Sequence, residues 1–244
     1  MGGSGIGATT AEAFAQHGAK VAIVGRNEAN LKGTEAACKA VNSRAEILPI
    51  LADVTTDAER IINETVVKFG KLDVLVNNAG IFATGNILNI EVDQFDQILN
   101  TNLRSVFLLT KFAAPHLVKT QGNIVNVSSV AGLRSFADVS RYCTSKAALD
   151  QFTRCIALDL PAHNVRVNAV NPGVIVTDSS IRAGMSKEEY EKYLEHCKET
   201  HALGRVGSTK EVADAIIFLA ADTASFITGT TLPIDGGKHA MCPR

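Results

Sequence analysis

Among its 244 residues the chain has five cysteines, and no two of them form a Cys-x-x-Cys pair. Cys38, Cys143, Cys155, Cys197 and Cys242 are odd in number and scattered, which suits a reducing compartment and argues against a disulfide framework. An excess of charge is missing as well. The formal net charge is −1 with acids and bases interspersed, so neither a basic face for nucleic acid nor an acidic tail is expected. No apolar run is long enough to span a bilayer, no secretory signal opens the chain, and the final Cys242-Pro243-Arg244 is not the peroxisomal tripeptide. A cytoplasmic protein without nucleic-acid or membrane partners is expected; a mitochondrial one stays open. Linkers, low-complexity tracts and solenoid periods are absent too, so residues 1–244 are expected to form a single domain.

Periodicity supplies what is there. Helical spacing of Ile6, Ala11, Phe14 and Ala15 predicts a helix over Gly5–His17, closed by Gly18. Short apolar runs predict strands at Lys20–Val24, Glu46–Leu51, Leu72–Val76, Ile124–Val127, Val165–Val170 and Gly229–Ile234. Between them helices are predicted from Asn27 to about Val41, from a Thr56-Asp-Ala-Glu59 cap to Gly70, from about Val92 to Val118, over Arg141–Leu160 and over Thr209–Ala220. This alternation predicts an α/β fold with a doubly wound parallel sheet of Rossmann type and helices on both faces. Ligands of such sheets bind beyond the carboxyl ends of the strands, where Asn77, Ser129 and Asn171 fall.

Two stretches carry chemistry. Tyr142 and Lys146 are four apart and share a helix face, so the ammonium sits beside a phenol and favours its phenolate. A free phenol, with a pKa near ~10, needs such help to exchange protons at neutral pH. Ser129 ends the preceding strand and brings a hydroxyl toward the phenol; Ser128 is its rival, disfavoured by the spacing to Tyr142. The second stretch is Gly2-Gly-Ser-Gly-Ile-Gly7, whose glycines and following helix N-terminus suit a pyrophosphate. Where NAD-specific folds carry an acidic residue, this chain has Gly25 followed by Arg26, which favours a 2′-phosphate and hence NADP(H) over NAD(H).

Together with Asn77-Asn-Ala-Gly80, these residues resemble the short-chain dehydrogenase/reductase family, closest in pattern to its 3-oxoacyl-(acyl carrier protein) reductase-like members, from Met1 to about Gly237. The resemblance implies a catalytic set of Asn102, Ser129, Tyr142 and Lys146. In it Tyr142 exchanges the proton, Ser129 bonds the substrate oxygen, Lys146 also grips the nicotinamide ribose, and Asn102 holds a relay water or, on the plainer reading, glues helices. It implies cofactor contacts from Gly2, Ser4, Gly5, Ile6 and Gly7 at the pyrophosphate and from Arg26 at the 2′-phosphate. Asp53 and Val54 would meet the adenine, and Asn77, Ala79 and Gly80 the adenosine ribose. Pro172, Gly173, Ile175 and Thr177 would meet the nicotinamide end, beside Tyr142 and Lys146. The implied substrate is a small carbonyl or secondary alcohol, with a 3-oxoacyl thioester leading, and the implied assembly a tetramer or dimer built on the helices at Val92–Val118 and Arg141–Leu160 and the last strand.

The family pattern Thr-Gly-x-x-x-Gly-x-Gly aligns its last two glycines with Gly5 and Gly7, which puts Met1 in place of the first. A first strand, central in the family's sheet, is then missing. Its loss, at ~1.5–3 kcal/mol for each of some five apolar side chains, rivals a domain's stability of ~5–15 kcal/mol. The chain is therefore expected to be a shortened product of a complete enzyme, and an inert or cofactor-binding-only chain is the alternative function. His196, Cys197 and His201 lie close together but lack a further ligand pair, so no metal site is expected. Cys143 is expected to pack, and Ser186–Glu199 to form a solvated helix over the substrate.

Overall fold

Helices and parallel strands alternate in the computed structural model, which describes residues 3–177, 181 and 184–241. The order is α1 (Gly5–Gln16), β1 (Val21–Gly25), α2 (Glu28–Val41), β2 (Ile47–Leu51), α3 (Ala58–Phe69), β3 (Val74–Asn77), α4 (Val92–Leu99), α5 (Ser105–Thr120), β4 (Asn123–Val127), α6 (Ser140–Asp159), β5 (Arg166–Pro172), α7 (Lys187–Glu199), α8 (Thr209–Ala220) and β6 (Thr231–Ile234). Strand starts differ from the expected ones by one or two residues, within the usual fraying of element ends.

All pairings are parallel, but the strands form two sheets: β1–β2, and β3–β4–β5–β6. Among the described residues no strand joins β1 to β3, and the break falls where the family resemblance places its first strand. β4 shows how the fold is layered. Ile124 packs with α3 and α5 through Ile61, Ile62, Leu109 and Leu117, while Val125 and Val127 point the other way, into Val212, Ile216 and Leu219 of α8 and Ile6 and Phe14 of α1. Helices thus cover both faces.

Two local expectations are corrected. The cap of α3 is Asp57 rather than Thr56, and its carboxylate accepts from Asp53 N–H at 2.9 Å instead of closing the helix end. The turn after β2 claims both groups, since the Thr56 hydroxyl reaches back to the Asp53 carbonyl at 3.5 Å. The predicted helix over Val92–Val118 is also interrupted. A π-helical stretch, Asn100–Arg104, separates α4 from α5, and its wider turn carries Asn102, which is fully buried. No helix among the described residues is long and apolar enough to cross a membrane.

Candidate active site

Because β3, β4 and β5 run parallel with Asn77 opposite Asn126 and Val127 opposite Val170, their carboxyl ends share one edge. Ser129 follows β4 there, at the start of a short 3-10 turn whose Ala131 N–H donates to its hydroxyl at 3.1 Å. Helix α6 returns along the same edge. Its Tyr142 phenol lies near the Ser129 side chain, and Lys146, one turn later, lies with its ammonium 5.7 Å from the phenol ring centre. Ser128 is turned away: its hydroxyl donates to the Lys146 carbonyl at 3.2 Å. The structure therefore brings Ser129, not Ser128, to the phenol.

Asn102 is tied down on every side. Its Oδ1 accepts from Ile81 N–H at 2.8 Å, and its Nδ2 donates to the Ile81 carbonyl and to Ser145 Oγ, each at 3.0 Å. It pins the loop leaving β3 against α6 beside Lys146, and a Cβ on Gly80 would meet Asn102 Oδ1 at 3.4 Å and Lys146 Nζ at 3.6 Å. Phe82 of that loop stands edge-on to Tyr142, centroids 5.1 Å apart. The loop is held from the far side too, by the buried Arg141 guanidinium, which donates to Gln94 Oε1 at 2.8 Å and to the Thr84 carbonyl.

Electrostatics depart from the spacing argument. Burial pushes the Tyr142 phenol up, against the nearby Ser129 hydroxyl that favours its anion. Lys146 is pushed down to about 8 by burial, opposed by the charge of Asp150. Its ammonium is engaged by the Val127 carbonyl at 2.8 Å. Desolvation of a side chain held between strand and helix outweighs the attraction that four-residue spacing suggests.

The glycine turn lies at the same edge. Gly5 adopts φ +55°, and a Cβ there would sit 3.3 Å from Thr177 Cγ2, so this turn meets the segment leaving β5 and requires glycine to do so. Ser4 makes no side-chain cap and the first turn of α1 has no acidic residue, which leaves that helix end suited to an anion. Gly2 lies outside the described residues. Gly7 is buried in α1, and Ile6 packs toward α8. At the β1 end Arg26 Nη1 lies 3.5 Å from Asp53 Oδ2, its side chain 71% exposed. Thr55 N–H holds the Asp53 carboxylate below its usual range, with Arg26 adding to the effect. Val54 and Ala79 are buried in the apolar core.

Asn77 donates to Asn126 Oδ1 at 2.9 Å, while its own Oδ1 is buried without a partner. Asn171 donates to the Ser129 carbonyl and to Asp150 Oδ2, each at 2.9 Å, fixing β5 to the turn that carries Ser129. Beyond Pro172 and Gly173, Ile175 forms a parallel bridge with Gly207 that uses the backbone groups of Val174 and Val176. Thr177 is bonded through its backbone to Tyr190, a residue that sequence reasoning missed. The sequence pattern offers His201 only as a metal ligand. Its ring instead meets the Cys197 carbonyl and Val174 N–H, and His196 is an exposed neighbour of Glu199 at 3.6 Å. The nearer partners of His201 are both backbone groups, so no side-chain motif announces it.

An acid–base pair beyond the carboxyl edge of a parallel sheet, with a glycine turn facing it, defines a Rossmann-type oxidoreductase. The family profile described as Enoyl-(Acyl carrier protein) reductase matches residues 2–239. An uncharacterized oxidoreductase of Thermotoga maritima is 41% identical over 240 residues, covering 98% of this chain and 95% of its own. The 3-oxoacyl-(acyl-carrier-protein) reductase FabG of the same organism is 36% identical, covering 96% and 93%. A short-chain dehydrogenase/reductase of unknown function from Caenorhabditis elegans, solved with cofactor, superposes with a TM-score of 0.93 at 38% identity, covering 99% of this chain and 93% of that one. The chain belongs to the short-chain dehydrogenase/reductase family, whose members bind NAD(P)(H), and it is an oxidoreductase of the CH–OH group.

Proposed function

We propose that this chain, folded as one domain, interconverts a carbonyl and a secondary alcohol with NADP(H), with NAD(H) as the weaker cofactor. The observation that carries the reading is the meeting of Ser129, Tyr142 and Lys146 at the carboxyl edge of the sheet, with the ammonium 5.7 Å from the phenol ring centre. The residues present fit a dinucleotide: the positive-φ Gly5 against Thr177, the uncapped start of α1, and the buried, partnerless Oδ1 of Asn77. Gly2, Ser4, Gly5, Ile6 and Gly7 would hold its pyrophosphate, Arg26 its 2′-phosphate, Asp53 and Val54 its adenine, and Asn77, Ala79 and Gly80 its adenosine ribose. Pro172, Gly173, Ile175 and Thr177 would hold the nicotinamide end. When bound, the nicotinamide supplies or takes the hydride.

The chain's own residues handle the proton. Tyr142 gives its phenolic proton to the substrate oxygen as charge develops there, and Ser129 donates a hydrogen bond to the same oxygen. Lys146 keeps a positive charge beside the phenol and reaches the ribose, and Asn102 holds the Ile81 loop and Ser145 so that the lysine keeps its place. A phenol that burial pushes up suits the donor role, since it arrives protonated at neutral pH. The substrate proposed first is a 3-oxoacyl thioester, supported by the 36% identical reductase FabG. A panel of such thioesters and small ketones, followed by NADPH absorbance, tests it; turnover with simple ketones alone removes the thioester.

One observation favours a second reading. The sheet is split between β1 and β3, so a chain that binds cofactor without turning substrate over is the alternative. Cofactor at a hundred times its Kd adds ~2.7 kcal/mol to the folded state, so a melting shift with NADPH but no turnover on any substrate selects this reading. We further propose a cytoplasmic tetramer or dimer. Four unpaired cysteines among the described residues support the compartment, and an exposed groove between α5 and α6 lined by Phe107, Ala114, Phe152 and Ile156 supports the assembly. Light scattering after size exclusion tests the assembly, and a monomer at micromolar concentration contradicts it.

A further inference from the structure

Helix α7 carries no member of the Ser129–Tyr142–Lys146 group, yet it holds both ends of the segment that leaves β5. At the far end the Tyr190 hydroxyl donates to the Thr177 carbonyl at 2.9 Å and accepts from Thr177 N–H at 3.2 Å. One phenol thus takes both backbone groups of a single residue, the office a neighbouring strand would otherwise fill. At the near end stands His201, just past the helix. Its Nδ1 lies 2.6 Å from the Cys197 carbonyl, and its Nε2 lies 3.2 Å from Val174 N.

The two partners decide the state of the ring. A carbonyl demands N–H at Nδ1 and an amide N–H demands a lone pair at Nε2, so the imidazole is neutral and carries its proton on Nδ1. The ring is 3% exposed, and a Cβ on Gly173 would lie 3.0 Å from Nε2 and 2.9 Å from Asp235 Cα, so glycine is needed for this approach. The ionisable side chains that bear on the ring are Lys238 and Asp235 from the C-terminal turn, Asp235 being bonded also to His239 at 2.9 Å. The Thr200 hydroxyl is 3.4 Å from Nδ1. Burial holds the imidazole below its ordinary value, aided by Lys238 and opposed by the Cys197 carbonyl and Asp235.

We propose that Tyr190 and His201 are positioning residues for the cofactor: two clasps through which α7 fixes the backbone from Val174 to Thr177, the second of which opens when the His201 ring takes another proton. The proposal rests on the reading of that segment as the nicotinamide site. A protonated ring presents N–H to the Val174 N–H, so the bond is lost and two donors face each other. Cofactor affinity then falls on the acid side of pH 6.5, the ordinary imidazole value, and not on the alkaline side.

Two readouts on the full chain test this. The first needs no cofactor: hydrogen exchange at the Val174 and Thr177 amides, corrected for intrinsic rate, between pH 5 and 8. Wild type is expected to lose Val174 protection toward pH 5, and His201→Ala to lack it throughout. His201→Gln keeps an acceptor that does not titrate, so its protection is expected to stay flat with pH. Tyr190→Phe is expected to expose the Thr177 amide alone. The second readout is the dissociation constant of NADPH, expected to rise about 3- to 10-fold in His201→Ala and in Tyr190→Phe, the worth of one hydrogen bond, with kcat changing less. The wild-type acid loss of affinity is expected to vanish in His201→Gln. Val174 protection that is equal in wild type and His201→Ala overturns the proposal, as does an acid loss that persists in His201→Gln. Protection that behaves as expected in a chain binding neither NADPH nor NADH at pH 8 overturns instead the cofactor reading and the affinity half of this proposal.

Discussion

The Lys146 ammonium donates to the Val127 carbonyl at 2.8 Å while lying 5.7 Å from the centre of the Tyr142 ring, so the end of β4 and the first turns of α6 are joined through one buried cation. Only 4% of the lysine is exposed, and no salt bridge among the described residues includes it. Burial pushes it down to about 8 from 10.5. The folded state therefore binds this proton less tightly than the unfolded chain does. The stability linked to its release is withheld below about pH 8, grows as pH rises, and is complete above 10.5. Wild type is expected to gain on Lys146→Met between pH 8 and 10, by at most roughly 3 kcal/mol, when their melting curves are compared. Curves that stay parallel across that range contradict the buried charge.

Arg26 makes a different kind of test, because its side chain is 71% exposed and its contact with Asp53, at 3.5 Å, is long. An exposed ion pair of this kind adds little to stability, so the guanidinium is available to a phosphate. Arg26→Ala is expected to raise the KM for NADPH by about 10- to 100-fold while leaving that for NADH within about 2-fold. Equal effects on both cofactors contradict a 2′-phosphate contact.

Asp150 continues the face of α6 that bears Tyr142 and Lys146, one turn deeper, and is 1% exposed with Oδ1 lacking a partner. Burial pushes its carboxyl up, against the nearby Ser128 hydroxyl and the hydrogen bond from Asn171. A raised folded value means that the associated stability is present below 3.8 and is lost as pH climbs through the raised value. Asp150→Asn does not titrate and keeps an acceptor for Asn171. It is expected to match wild type near pH 4 and to exceed it at pH 7 by about 1–3 kcal/mol in urea unfolding. A variant weaker at pH 7 than at pH 4, relative to wild type, contradicts this.

Apolar periodicity made the order of strands and helices legible, and the residues that meet at the sheet edge sit in short local patterns: Asn77 to Gly80, Ser129, Tyr142 with Lys146, and Asn171 to Gly173. The unread features depend on tertiary partners. Asn100–Arg104 sits inside a continuous helical pattern, and its widened turn goes with the bonds from Asn102 to Ile81 and Ser145, distant in sequence. Tyr190 and His201 bind backbone groups of Thr177 and Val174, which have no side-chain signature. Spacing predicts a more acidic Tyr142 phenol whereas burial pushes it up, because spacing reveals a neighbouring charge but not the burial that both groups share.

The central claim is that the phenol of Tyr142, beside Ser129, passes the proton that accompanies hydride transfer. Tyr142→Phe removes one oxygen from a half-buried side chain and leaves the ring packed on Phe82. Steady-state turnover of the best substrate, measured with NADPH binding on the same preparation, decides the matter. The account predicts a fall in kcat of about 10²–10⁴ with an unchanged Kd for NADPH. A variant retaining wild-type kcat contradicts it.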